Sequence, residues 1–144
     1  MPQHYIYGTT RKYWRVFLLS ILTLGIYYLF YQWWIFRDLE DHYRKACGIE
    51  PEAYPTINNP TTMFVFLFLL PFYSYYVKYH LLHEHISTTN IKKTKNCIVG
   101  YKAVIIFIIL GLTTLCIVPI IIEFKWQRTF NEHILAHEEA DQNK

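Results

Sequence analysis

The sequence predicts an all-α integral membrane protein with three transmembrane helices and amphipathic helical extensions. The 144-residue chain is 53% hydrophobic and only 17% charged, whereas about a quarter of the residues in a typical globular domain are charged. The charges are also segregated, so three long stretches contain none: 16–36, 53–77 and 103–122. A soluble helical domain of this length would have too little polar surface to cover three such helices.

The elements follow from these stretches in order. After the polar start of the second stretch is removed, the spans are predicted at about 16–36, 61–80 and 103–122 of a single membrane domain, 1–144. Each span is close to the roughly 20 residues that a helix needs to cross a hydrocarbon core of about 30 Å. The lead before the first span is too short to form a domain. Residues 135–144 are predicted to be a polar C-terminal tail that frays.

Each predicted span contains a residue that favours a bend. Gly25 lies near the middle of the first span, Pro71 within the second and Pro119 near the end of the third. Proline lacks an amide N–H and therefore removes a backbone hydrogen bond inside a helix. Membrane helices tolerate such bends where neighbouring groups cover the freed carbonyl, so we expect three bent helices that still cross the bilayer.

A possible internal repeat of about 45 residues joins the three spans. At an offset of 91, Thr23 aligns with Thr114, and the later pair Asp41-His42 aligns with Glu132-His133. At an offset of 43, Glu84-His85 aligns with Asp41-His42. The predicted unit is an apolar half, a flexible point, and an aromatic amphipathic half that ends in an acid followed by a histidine.

The run Thr23–Tyr27, followed by aromatic residues and Arg37, resembles a small prokaryotic membrane family of unknown function, domain of unknown function 4234. Gln127 and Asn131 resemble the turn that ends later spans in that family. Tyr28 departs from the family pattern, in which many relatives carry a small residue. The resemblance implies a three-helix membrane domain, and it implies no activity, cofactor or catalytic residue.

Histidines supply the candidate chemistry, and they follow the predicted spans. At helical spacing, two groups would each lie on one helix face and could bind zinc or iron: His80, His83 and Glu84, and His133 with His137. In a three-span chain the second span ends on the opposite side from the other two. A single shared site is therefore not expected, and polar caps at the membrane edge are the preferred interpretation. No catalytic or cofactor-binding residue is assigned.

Aromatic and acidic residues near the span ends receive interfacial roles. Trp33, Trp34 and Trp126 are predicted at the membrane–water boundary, where amphipathic rings accumulate. Glu123 is expected to reach water beside Lys125.

The predicted function is a non-enzymatic accessory or assembly subunit of a membrane complex, or a membrane-organising module. One alternative is a metal-binding or lipid-modifying membrane enzyme that uses the acid-histidine ends, and another is a subunit of an oligomeric transporter or channel. The expected partners are the lipid bilayer and other membrane subunits or further copies, without nucleic acid. The predicted location is a prokaryotic cytoplasmic membrane. The distribution of Lys and Arg favours the N-terminus inside and the C-terminus outside.

Overall fold

The computed structural model describes residues 3–48, 59–89, 96–114 and 117–143. This part of the chain forms one small antiparallel sheet and six helices. The sheet consists of β1 (Gln3–Tyr5) and β2 (Gly8–Thr10). The helices are α1 (Tyr13–Leu22), α2 (Ile26–Cys47), α3 (Pro60–Leu69), α4 (Pro71–Thr88), α5 (Gly100–Thr113) and α6 (Ile117–Gln142).

The helices pair along the chain into three helical hairpins, each with a short arm followed by a long arm. In the first hairpin, the Tyr13 ring of α1 lies 6.0 Å from the Tyr31 ring of α2. In the second, the Ser74 hydroxyl of α4 donates a 3.1 Å hydrogen bond to the Met63 carbonyl of α3. In the third, α5 packs against α6. Gly111 of α5 lies close to the Pro119 ring of α6, since a methyl group added at Gly111 would be 3.7 Å from that ring. Each short arm therefore runs back along the long arm that follows it.

The predicted three-span fold is wrong, although its helical character is confirmed. Each predicted span reverses direction between a short arm and a long arm instead of continuing across a bilayer: 16–36 between α1 and α2, 61–80 between α3 and α4, and 103–122 between α5 and α6. No helix in the described ranges is both long enough and apolar enough to cross a membrane. The predicted sidedness of the termini presupposed those three crossings.

The first reversal is a helix end closed by left-handed residues. Leu24 (φ 50°) and Gly25 (φ 92°) both have positive φ, which costs glycine little and leucine more. The amides of Leu24 and Gly25 donate to the carbonyls of Ile21 and Ser20 at 3.2 and 2.7 Å. These two bonds form the Schellman arrangement that terminates a helix, and α2 begins immediately afterwards in a new direction.

A threonine links the two arms in both the first and the third hairpin. The Thr23 hydroxyl donates to the Leu19 carbonyl and accepts from the Tyr27 amide, at 2.8 and 2.9 Å. Thr114 repeats the arrangement, because its hydroxyl donates to the carbonyl four residues before it and accepts from the Val118 amide at 3.3 Å. These threonines are the pair that the offset of 91 aligns, so the aligned residues make the same turn.

The three residues predicted to bend the helices lie where long arms begin. Gly25 is the N-cap of α2, Pro71 is the first residue of α4, and Pro119 is the third residue of α6. Proline is well suited to the first turn of a helix because the amide it lacks would have no helical partner there. These residues therefore mark reversals of the chain.

The long arms bury equivalent residues at the same spacing. Each arm buries four side chains at positions i, i+4, i+8 and i+11, which places them along one helix face. They are Tyr31, Ile35, Leu39 and His42 in α2, Ser74, Lys78, Leu82 and His85 in α4, and Ile122, Trp126, Phe130 and His133 in α6. The positions follow the offsets of 43 and 91, so three equivalent helix faces share one core.

The long arms run parallel and in register, which places all three tips at one end of the molecule. Near the tips, the hydroxyls of Tyr28 and Tyr75 are hydrogen-bonded at 2.7 Å. One turn further on, the Lys78 ammonium contacts the Glu123 carboxylate at 2.7 Å. We call the end formed by the three reversals the tip end and the opposite end, where α2 and α4 finish, the far end.

Candidate metal centre

Four buried histidines meet at the far end. His42 comes from α2, His85 from α4, and His133 and His137 from α6; one ring nitrogen of each lies within 4.8 Å of the others. The Nε2 atoms of His42 and His85 are 3.1 Å apart, as are those of His133 and His137. Three separate hairpins therefore contribute imidazoles to one cluster, which we call the four-histidine centre.

The helix geometry explains this convergence. His42, His85 and His133 are the last members of the three equivalent buried faces, so parallel arms in register must bring them together. His137 follows His133 by one helical turn and lies on the same face of α6. Only the third copy of the repeat has a histidine at this fourth position.

The chain between β1 and β2 fixes the tautomer of one histidine. The His42 Nδ1 atom lies 2.8 Å from the Tyr7 carbonyl oxygen, and a carbonyl can only accept a hydrogen bond. The proton of neutral His42 is therefore on Nδ1, which leaves the Nε2 lone pair facing the other imidazoles. Metal-binding histidines commonly donate their second ring N–H to a carbonyl in this way.

The imidazoles are held in the form that binds metals. Burial, together with the neighbouring His85 and His137, lowers the pKa of His42 to about 3. Burial also lowers the pKa of His85 to about 4 and that of His133 to about 2. These side chains are neutral at pH 7, and a neutral imidazole is the metal-binding form.

The spacing of the nitrogens suits a small ion. Zinc–imidazole bonds of about 2.0–2.1 Å give a tetrahedron whose edges are about 3.3 Å. The two 3.1 Å contacts are close to this edge, and the other separations between the nitrogens are at most 4.8 Å. The buried Nδ1 atom of His133 has no hydrogen-bond partner among the described residues, so the polar requirements of the centre are incompletely met by protein atoms.

Tyr7 covers the centre. Its ring lies 5.1 Å from the His137 ring, and its amide donates to Glu138 at 3.2 Å. The Tyr7 hydroxyl also donates to Asp141. Gly8 permits this close approach, because its φ is 143° and a methyl group there would lie 3.0 Å from the Ile134 Cδ1 atom. The predicted polar tail is thus mostly helical and holds the cover in place.

The residues predicted to bind metal are divided by the structure. His133 and His137 belong to the four-histidine centre. His80 is partly exposed and lies 3.3 Å from the Glu84 carboxylate, while His83 donates through Nδ1 to the Cys97 carbonyl at 2.8 Å. These three residues lie outside the centre.

His42 and His85 were not among the residues that the sequence predicted to bind metal, although both belong to the four-histidine centre. Each of these histidines is the last residue of a copy of the repeat. The predicted three membrane crossings, however, placed His42 and His85 on opposite sides of the bilayer. The two offsets that align His42, His85 and His133 were the signal that could have brought them together, because equivalent positions in a repeat lie at equivalent heights.

A second buried polar group lies between the tip end and the four-histidine centre. Both Glu123 carboxylate oxygens are 2.7 Å from the Lys78 ammonium, and Tyr79 donates to the same carboxylate at 3.0 Å. The Lys78 side chain is 0% exposed and that of Glu123 is 2% exposed. Burial lowers the pKa of Lys78, and Glu123 opposes this shift. Glu123 therefore pairs across the core with α4 instead of reaching water beside Lys125.

The three predicted interfacial tryptophans occupy different environments. Trp126 is 1% exposed and packs between Tyr79 and Phe130 in the core. Trp33 and Trp34 are half-buried.

Comparisons of the chain with family models, with curated proteins and with solved structures give no match. The resemblance carried by Thr23–Tyr27 therefore remains a prediction. Its threonine and glycine have structural roles in the first reversal, and Gln127 and Asn131 are hydrogen-bonded to each other at 2.8 Å.

Proposed function

We propose that this chain is a metal-binding protein that holds one transition-metal ion in the four-histidine centre. The observation that carries the proposal is the convergence of four buried imidazoles from three different hairpins. Packing alone is a weak explanation for four buried histidines. Apolar side chains would fill the same space without leaving a buried nitrogen atom unsatisfied, as His133 Nδ1 is.

Zinc is the ion that the donor set favours, with a structural role. Imidazole suits zinc, copper, iron and nickel. A zinc site with four protein ligands is coordinatively full, which is typical of structural sites, whereas catalytic zinc retains an open position for water or substrate. The ion would join α2, α4 and α6 at the far end and thereby stabilise the assembly of the hairpins.

The surroundings of the centre are compatible with a positive ion. His42 and His85 lie in the last two turns of α2 and α4, where the helix dipole supplies partial negative charge. Glu138 and Asp141 add carboxylates around Tyr7. These groups offset part of the charge that four neutral ligands leave on a divalent ion.

Metal titration of protein purified without a histidine tag tests the proposal. Chelator-treated protein should bind one Zn²⁺ or Co²⁺ per chain, and bound Co²⁺ should give the intense visible absorption of a tetrahedral site. His42→Ala and His85→Ala should each weaken the affinity at least about tenfold, because each removes a ligand.

His80→Ala is the matched control, since His80 lies on the same helix as His85 but outside the centre. It should bind the metal as the unchanged protein does. Absence of stoichiometric binding, or an equal loss in His80→Ala and His85→Ala, would contradict the proposal. A preference for iron or copper over zinc in the same titration would retain the site and refute the zinc assignment.

A further inference from the structure

Large apolar side chains are exposed at all three reversals. Leu24 is 95% exposed, Leu22 77%, Leu69 67% and Ile117 58%. Because the tips lie together at one end, these side chains form an apolar surface that no described segment of the chain covers. Extended exposed patches of this kind mark interaction sites.

The backbone at the tips is adapted to surroundings that offer no hydrogen bonds. In the first hairpin, every amide N–H from residue 23 to residue 29 donates to a carbonyl or to the Thr23 hydroxyl. In the third, the Ile117 and Val118 amides both donate to Thr114. Pro71 and Pro119 remove two further donors. A hydrocarbon environment demands such internal satisfaction, whereas water does not.

The apolar depth of the tip end matches half a bilayer. The helix from Gly25 to Arg37 rises about 18 Å, and that from Lys102 to Thr113 about 17 Å, at about 1.5 Å per residue. Half of a hydrocarbon core is about 15 Å thick. Within the described ranges, the charges between the tips and the level of Arg37 and Lys102 are the buried partners Lys78 and Glu123 and, near that level, Arg15 and Lys125.

A belt of aromatic and cationic residues borders the apolar surface. In three places a cation lies over an aromatic ring: Arg15 over Trp14 at 5.4 Å, Arg37 over Trp33 at 5.3 Å, and Lys102 over Tyr101 at 5.9 Å. Aromatic rings favour the membrane–water boundary, and Lys and Arg there attract anionic headgroups. The exposed acids Glu84, Glu132 and Glu139 lie towards the far end.

We propose that the tip end inserts into one leaflet of a bilayer containing anionic phospholipids, to the depth of the aromatic and cationic belt. The three hairpins enter and leave on the same side, so the chain does not cross the bilayer. The four-histidine centre at the far end stays outside the hydrocarbon. This inference is independent of the metal proposal, because it rests on the opposite end of the molecule.

Vesicle binding by the full chain tests the insertion. The protein should float with phosphatidylcholine vesicles, and more strongly when phosphatidylglycerol is included. Leu24→Asp combined with Leu69→Asp should weaken this binding at least tenfold, because both exposed side chains would enter hydrocarbon as carboxylates. Helical circular dichroism and metal content, measured on the same samples, should remain unchanged.

Leu135→Asp is the matched control, because Leu135 is an exposed apolar side chain towards the far end. It should bind vesicles as the unchanged protein does. Equal binding by the tip variant and the unchanged protein would overturn the proposal, as would an equal loss in Leu135→Asp. Failure to bind vesicles while forming a dimer that the tip variant abolishes would assign the surface to a second copy of the chain instead.

The belt and the depth are tested separately. Substituting Arg15, Arg37 and Lys102 together by Gln should abolish the preference for phosphatidylglycerol while binding to phosphatidylcholine persists. A fluorescent amino acid in place of Leu24 should be shielded from aqueous quenchers added outside or trapped inside the vesicles. Quenching from the lumen would show a crossing and overturn insertion into one leaflet; an undiminished lipid preference in the triple variant would overturn the role of the belt.

Discussion

The Tyr7 carbonyl determines which nitrogen of His42 faces the other imidazoles. It accepts the His42 Nδ1 proton, and Gly8 allows the chain to lie close enough to α6 for this bond to form. The sequence does not predict this arrangement, because the acceptor is a backbone atom and every residue type carries the same carbonyl group. Two small features of the N-terminal segment therefore control the orientation of a side chain 35 residues away.

Gly8→Ala is expected to weaken zinc binding about 10- to 100-fold, the range typical for the loss of a group that orients a ligand. The added methyl group would lie 3.0 Å from the Ile134 Cδ1 atom at a backbone φ unfavourable for alanine. Competition with a chelating dye measures the affinity. Adding Ile134→Val, which removes the Cδ1 atom, should restore part of the loss; no difference between Gly8→Ala and the unchanged protein would contradict the role of Tyr7.

Lys78→Met is expected to destabilise the protein by about 3–5 kcal/mol, because it leaves the buried Glu123 carboxylate without its cation. Adding Glu123→Leu should recover most of the loss, since both charges are then removed together. Denaturant unfolding followed by circular dichroism gives these values. Arg128→Ala is the control: it breaks an exposed pair with Glu132 and should cost about 0.5 kcal/mol or less. Equal effects would contradict the burial of Lys78.

At the scale of the element, the chain reversals separate the observed fold from the predicted one. The apolar lengths and the positions of Gly25, Pro71 and Pro119 were readable from the sequence. The sequence did not show that the chain reverses at these residues, because a proline that bends a helix and a proline that begins a new helix occur in similar sequence contexts. Leu24 adopts a left-handed conformation that is unusual for its residue type. Hydropathy therefore identified the segments without revealing that each folds back on itself.

Thr114→Val is expected to lower the free energy of unfolding by roughly 1 kcal/mol, because the hydroxyl that accepts from the Val118 amide is lost. Thr23→Val should have a similar effect, since Thr23 accepts from the Tyr27 amide. Thr113→Val is the matched control: its hydroxyl returns a bond to its own helix, so a change within about 0.5 kcal/mol is expected. Thermal or denaturant unfolding distinguishes the variants, and equal losses at residues 113 and 114 would refute the linking role.

Across the whole molecule, properties change in layers from the tip end to the far end. Exposed apolar residues are followed by the buried Lys78–Glu123 pair, which lies inside the molecule at about the level of the belt, and finally by the four-histidine centre. The repeat in the sequence contained the information for this stacking, because aligned residues occupy the same layer. The prediction of three membrane crossings hid this relation. Successive spans would alternate in direction, so equivalent residues of the copies would lie on opposite sides of the membrane.

The metal-free protein should lose stability as the pH falls below about 6.5. Folding holds the pKa values of His42, His85 and His133 at about 3, 4 and 2, whereas unfolded histidines bind protons near pH 6.5. Between these values the unfolded state binds more protons, so the free energy of unfolding decreases by up to about 1.4 kcal/mol per pH unit for each histidine.

Denaturant unfolding of chelator-treated protein at several pH values measures this slope. His42→Leu should reduce it, because one buried imidazole is removed. A flat pH dependence would show that the imidazoles are hydrated in the metal-free protein.

The equivalence of the three long arms bears on how such a centre could originate. One histidine from each of three parallel, equivalent helices is the ligand set that a symmetric trimer provides around its threefold axis. A protein with only one such hairpin would have to form a trimer to build this centre. A chain that contains three copies of the hairpin builds it without association. His137 then departs from the symmetry, because the aligned positions in the other copies are Ala46 and Thr89. The fourth imidazole of the centre therefore has no equivalent in the first two copies of the repeat.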